Sequence, residues 1–175
     1  MQTLAVDPTN PSLLYAGTGG FVGQGQGVFK SIDGGDTWVP SNRGMLDYRI
    51  LALAINPLQP QEIYAGSDRG DLFKSSDGGQ TWINLTERIK LQQGSEPRSI
   101  ASIQIDPLSG VVYLLGDNSG VLYSGDGGIK WRLLGIPAGL SQPRFSSMAV
   151  IFGEKPVILV SVEDSDPPVY RFAAK

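Results

Sequence analysis

Three aspartates, Asp33, Asp77 and Asp126, each stand two residues after a serine (Ser31, Ser75, Ser124). Each is followed by a glycine pair ending at Gly35, Gly79 or Gly128, and then by Trp38, Trp82 or Trp131. A carboxylate beside a hydroxyl can do acid–base work, or it can accept the N–H groups of its own turn. Three arginines form a second set. Arg49, Arg98 and Arg144 lie six, seven and six residues before Ile55, Ile105 and Val150. A guanidinium grips a carboxylate or phosphate through two parallel hydrogen bonds, so three of them at one mouth would make an anion site.

What is missing narrows the chemistry. The chain of 175 residues has no histidine and no cysteine. The Ser-His-Asp triad, imidazole zinc sites, thiolate nucleophiles and disulfides are therefore excluded. No cofactor and no metal is expected; Glu163, Asp164 and Asp166 crowd one stretch, VEDSDPP, but in no calcium-loop spacing. Glycoside hydrolysis needs two carboxylates across a cleft, or a tyrosine nucleophile with an acid partner. Asp47, Asp68, Asp71 and Asp117 are candidates by position in loops, and nothing singles out a pair.

The elements that must position these residues form a repeat. An apolar strand ending in Asx-Pro (LAVDP at 4–8, LAINP at 53–57, IQIDP at 103–107) opens each unit. A strand with LLYAG, EIYAG or VVYLLG follows, then one with GVFKS, GDLFKS or GVLYS, then the octapeptide, whose tryptophan opens a fourth strand. The aspartates stand 44 and 49 residues apart, and four short strands at that period describe a β-propeller blade. A fourth unit, FSSMAVIF, VILVSV and VYRF, has neither octapeptide nor fourth strand. The reading is an all-β propeller segment of about four four-stranded blades, the last incomplete, over about 1–42, 48–88, 98–136 and 144–175.

In that frame the octapeptide reads as a structural corner. Its glycines supply the positive φ of a tight turn, its serine and aspartate satisfy the turn's N–H groups, and its tryptophan fills the space between sheets. The arginines open first strands, so they face the channel mouth as an anion site, or else pair with neighbours such as Asp47 or Glu96. The Gly-rich stretch GTGGFVGQGQG (17–27) lacks the Lys-Ser/Thr ending of a phosphate loop and reads as a lip presenting Phe21.

Ser-x-Asp-x-Gly-x-Thr-Trp, complete at 31–38 and 75–82 and partial at 124–131, resembles the Asp-box of BNR-repeat propellers. That group includes sialidases, xyloglucanases, sortilin and the photosystem II assembly factors. The surrounding frame is similar to the xyloglucanase and assembly-factor branch. The resemblance implies Asp-boxes on the outer corner, ligands at the opposite mouth, and an extracytoplasmic location. YRIL at 48–51 resembles the Arg-Ile-Pro strand of sialidases, with Leu51 in place of proline.

The functional expectation is a binding or scaffold module for a protein or glycan partner, with Arg49, Arg98, Arg144 and Phe21 as ligand contacts. Part of a glycoside hydrolase and a photosystem assembly-factor-like protein are the alternatives. A formal net charge of −3 speaks against nucleic acid as partner. No apolar run reaches membrane-spanning length, and no signal peptide opens the chain. Because four blades leave sheet faces bare, the chain is expected to form a homodimer or to belong to a longer polypeptide.

Overall fold

A computed structural model describes residues 1–19, 26–45, 48–90, 97–136, 140, 143–163, 165–166 and 168–173. Strands β1 (Thr3–Asp7), β2 (Asn10–Gly17), β3 (Val28–Ser31) and β4 (Val39–Pro40) form one antiparallel sheet in chain order. The second sheet contains β5 (Ile50–Ile55), β6 (Ile63–Ser67), β7 (Leu72–Ser75) and β8 (Ile83–Asn84). The third contains β9 (Ile100–Ile105), β10 (Val112–Gly116), β11 (Gly120–Ser124) and β12 (Arg132–Gly135). The last has three strands, β13 (Phe145–Ile151), β14 (Val157–Val162) and β15 (Val169–Ala173). This is the architecture of β-propeller blades, three with four strands and the last with three among the described residues. One element departs from the all-strand reading. A single helical turn, α1 (Thr86–Lys90), follows β8 and buries Leu85 and Ile89 against the third sheet.

Each blade keeps one register. Val6 pairs with Leu14, Ile55 with Ile63, Ile105 with Val112 and Val150 with Ile158. The Asx-Pro turns holding these registers work as Asx chemistry dictates. Asp7 Oδ1 accepts from the N–H groups of Thr9 and Asn10, and Asn56 and Asp106 accept from Leu58 and Leu108 in the same way. First strands stand side by side, β1 against β5, β5 against β9, and β9 against β13. No comparable packing leads from β13 back to β1 among the described residues, so the four blades form an open arc.

The core lies between sheets, in three separate clusters. One face of each blade offers its first-strand apolar pair to the preceding blade. Leu53 and Ile55 are 8% and 9% exposed there, and Ile103 and Ile105 are 6% and 8%. Their first-blade counterparts, Leu4 and Val6, are each 46% exposed, because no blade precedes them in the structure.

A polar latch crosses the first two junctions. The Tyr15 hydroxyl and the Lys30 ammonium both donate to the Gly78 carbonyl, each at 2.8 Å. Across the same junction the Trp82 indole donates to the Ser41 carbonyl at 2.8 Å. At the second junction Lys74 donates to the Gly127 carbonyl at 3.1 Å while paired with Glu62 at 2.7 Å. Lys30 and Lys74 also lie over the rings of Tyr15 and Tyr64, 5.4 and 5.3 Å from the centroids. The third junction is built differently. There the Gln104 side chain donates to the Met148 carbonyl and accepts from the Val150 N–H, and Tyr113 meets Tyr123 and Phe152.

Candidate functional site

The octapeptide corners come first because their chemistry is fully visible. In the first, the Ser31 hydroxyl donates to Asp33 Oδ1 at 2.7 Å and accepts from the Gly35 N–H at 2.9 Å. Asp33 also accepts from the Thr37 N–H and hydroxyl. The second corner repeats this with Ser75, Asp77, Gly79 and Thr81. The third keeps Ser124, Asp126 and Gly128, and the Lys130 N–H replaces that of threonine. All three glycine pairs have positive φ; at the second corner Gly78 and Gly79 stand at 68° and 81°. The tryptophans differ by place: Trp131 and Trp82 are buried, whereas Trp38 is half-buried and turns its indole back to the Gly35 carbonyl.

These hydrogen bonds set the carboxylates' acidity. The Thr37 hydroxyl, the Thr37 N–H and the Ser31 hydroxyl hold Asp33 down at about 2. Desolvation works to raise Asp77, but the Thr81 hydroxyl and N–H and the Ser75 hydroxyl outweigh it and hold it at about 2. Asp126 is lowered, chiefly by the Lys130 N–H. A carboxylate so filled with donors is a poor proton acceptor. Its chemistry is spent inside the turn.

The opposite end of the blades, where first strands begin, carries the arginines. The backbone puts Arg49 and Arg144 in one position, since their carbonyls accept from the Asp68 and Glu163 N–H groups. In the third blade the equivalent bond runs from the Asp117 N–H to Ser99. Arg98 therefore stands one residue earlier than its counterparts, its own N–H donating to Asn118 Oδ1 at 2.9 Å. The three arginines open their strands without sharing one backbone position. A strand's side chains alternate, and the six-against-seven spacing was already the sign of the offset.

Their surroundings differ as well. Arg49 is half-buried and its Nη1 lies 3.6 Å from Asp68 Oδ2. The pair is incomplete: Arg49 Nε and Asp68 Oδ1 are shielded from solvent with no partner among the described residues. Arg98 and Arg144 are exposed, and neither forms a salt bridge among the described residues. Sequence reading missed the Arg49–Asp68 contact, which joins residues on different strands' ends. Nearby, Arg69 lies over the Tyr48 ring, 5.6 Å from its centroid. Phe21, Asp47, Glu96 and Asp164 lie outside the described residues. Among those described, no group of acidic residues is arranged to hold a metal ion, and no helix is long and apolar enough to cross a membrane.

No family model matches the chain, and no curated protein matches it by sequence. Solved structures do resemble it. It is similar to an ancestral GH74 enzyme at 18% identity and a TM-score of 0.65, over 98% of this chain and 25% of that one. It is similar to the GH74 xyloglucanase from Xanthomonas campestris at 21% identity and 0.62, over 91% and 26%. It is also similar to YCF48 bound to a D1 peptide at 19% identity and 0.57, over 93% and 55%. The chain thus spans about a quarter of the GH74 chains and about half of the YCF48 chain. At these identities the likeness is one of fold, and the fold is that of a β-propeller.

Proposed function

We propose that the chain is a non-catalytic recognition module of BNR/Asp-box type, taking an anionic segment of a partner protein at the end where its first strands begin. One observation carries this: Arg98 and Arg144 stand exposed at that end of the blades and form no salt bridge among the described residues. An acidic segment offers carboxylates that these guanidiniums can grip through paired hydrogen bonds. The likeness to YCF48 in its peptide-bound form supports a peptide over a small anion. A glycan with acidic groups would satisfy the same donors.

The test is binding of an acidic peptide library to the chain and to the double variant Arg98→Glu/Arg144→Glu. Both residues are exposed, so the fold is retained. Loss of about tenfold or more in affinity, with wild-type binding weakening as salt rises, is expected. Salt-insensitive binding that ignores both substitutions would overturn the reading. The likeness to GH74 enzymes favours a second reading, a piece of a glycoside hydrolase. Turnover of a chromogenic glycoside panel by this chain would establish that instead.

A further inference from the structure

All three octapeptides contain Asp-Gly-Gly, at 33–35, 77–79 and 126–128. An aspartate followed by glycine can react with its own backbone, because glycine has no Cβ to shield its nitrogen from the preceding carboxyl group. The reacting tripeptide is the same at each corner, so a difference between corners comes from the bonds that hold it. Two kinds of bond are missing at the third.

The first kind holds the carboxylate. Asp33 and Asp77 use both oxygens: Oδ1 accepts from a serine hydroxyl and a threonine N–H, and Oδ2 from the threonine hydroxyl. At the third corner Lys130 stands in the threonine position. Ser124, Ile129 and Lys130 all donate to Asp126 Oδ1, and Oδ2 accepts no hydrogen bond among the described residues. The second kind holds the nitrogen. The Gly34 N–H donates to the Ser12 carbonyl at 3.0 Å and the Gly78 N–H to the Gln61 carbonyl at 3.1 Å. Ser12 and Gln61 lie two residues before Leu14 and Ile63, which pair with the octapeptide serines, and in the third blade that register falls on Gly110. Its hairpin is one residue shorter, seven from Asp106 to Tyr113 against eight from Asp7 to Tyr15 and from Asn56 to Tyr64. Gly110 therefore still closes the turn, its N–H on the Asp106 carbonyl and its φ at 73°. The Gly127 N–H donates to no carbonyl among the described residues.

We propose that Asp126–Gly127 is a modification site, isomerising to isoaspartate in preference to the two other corners. The Gly127 nitrogen attacks Asp126 Cγ and gives up its proton. One carboxylate oxygen leaves as water, taking that proton and another from solvent, and a cyclic imide closes. Water then adds to either imide carbonyl. Opening at the main-chain carbonyl leaves the chain running through Cγ, as isoaspartate; opening at Cγ restores aspartate. Asp126 is exposed, so water reaches the ring from solvent. The product adds a methylene to the main chain at the corner whose Gly127 carbonyl receives Lys74, so the modification loosens the second junction.

The experiment incubates the 175-residue chain at neutral pH and body temperature for several weeks. Its peptides are then mapped by electron-transfer fragmentation, which separates isoaspartate from aspartate at equal mass. Methyl transfer by an isoaspartyl-specific methyltransferase counts the product independently. Asp126 is expected to isomerise at least about tenfold faster than Asp77 or Asp33, the rate equivalent of one hydrogen bond to a charged group kept before attack and broken during it. Lys130→Thr gives the third corner the residue of the other two and should slow Asp126 by about the same factor. In guanidinium chloride the three sites should react at similar rates, because their reacting residues are identical. Four results would each overturn the proposal. They are equal rates at the three corners of the folded chain, no isoaspartate at Asp126, a rate untouched by Lys130→Thr, and the same ranking in the unfolded chain, which would assign the preference to sequence alone.

Discussion

At the scale of single residues, the aspartates of the octapeptides are held as anions by donors built into their own turns. Asp77 sits at about 2 against an ordinary 3.8. A folded value below the unfolded one means that its contribution is complete above about pH 4 and is lost as pH falls through about 2. Asp77→Asn should therefore be less stable than wild type at neutral pH, and the difference should shrink on acidification through that window. Denaturant titrations at a series of acid pH values check this; a constant difference would mean that the turn does not bind the anion selectively. Asp77→Ala, which also strips the Thr81 and Ser75 partners, should cost about 1–3 kcal/mol at neutral pH, towards the lower figure because the site is solvated.

At the scale of elements, the same octapeptide serves blades unequally. Trp82 is buried between two sheets and ties its indole to Ser41 of the preceding blade. Trp82→Ala should cost about 3–5 kcal/mol through the cavity it leaves. Trp38, half-buried and bonded within its own turn, should cost well under half of that when truncated. Thermal melts of the two variants compare them directly, and equal losses would contradict the open first face. Much of this level was legible in the sequence. Apolar strands ending in Asx-Pro turns, and glycine pairs, are local signals, and they are enough to reveal an all-β propeller architecture. Helix α1 was not legible, because five residues are too few for a helical period to show and its burial of Ile89 depends on the third sheet. Nor were the latches: Tyr15 and Lys30 reach a carbonyl 63 and 48 residues away, and their side chains have no local pattern. The arginine offset was visible as one extra residue, and only the backbone bond to Ser99 shows what it means.

At the scale of the whole molecule, the chain is a row of nearest-neighbour contacts, each blade completed by the one before it. Such arrays unfold as coupled units whose cooperativity is set by the junctions. Tyr15→Phe removes one hydrogen bond to Gly78 and leaves the ring in place, so it should destabilise by about 1 kcal/mol. It should also broaden the unfolding transition, as the first blade begins to separate from the rest. Hydrogen exchange in β1 to β3 reports this: protection should fall there before it falls in β9 to β11.

The change from latched junctions to an unlatched one also acts as a grammar for rearrangement. The cation of the second blade could serve a copy of its own octapeptide as readily as the one it now meets, so that unit can be duplicated in tandem without inventing a joint. The third blade, with Tyr123 where its predecessors carry lysine, lacks the cation of that joint and meets the fourth through Gln104 instead. Duplication of a unit ahead of that point reuses an existing joint, whereas one behind it needs a new one.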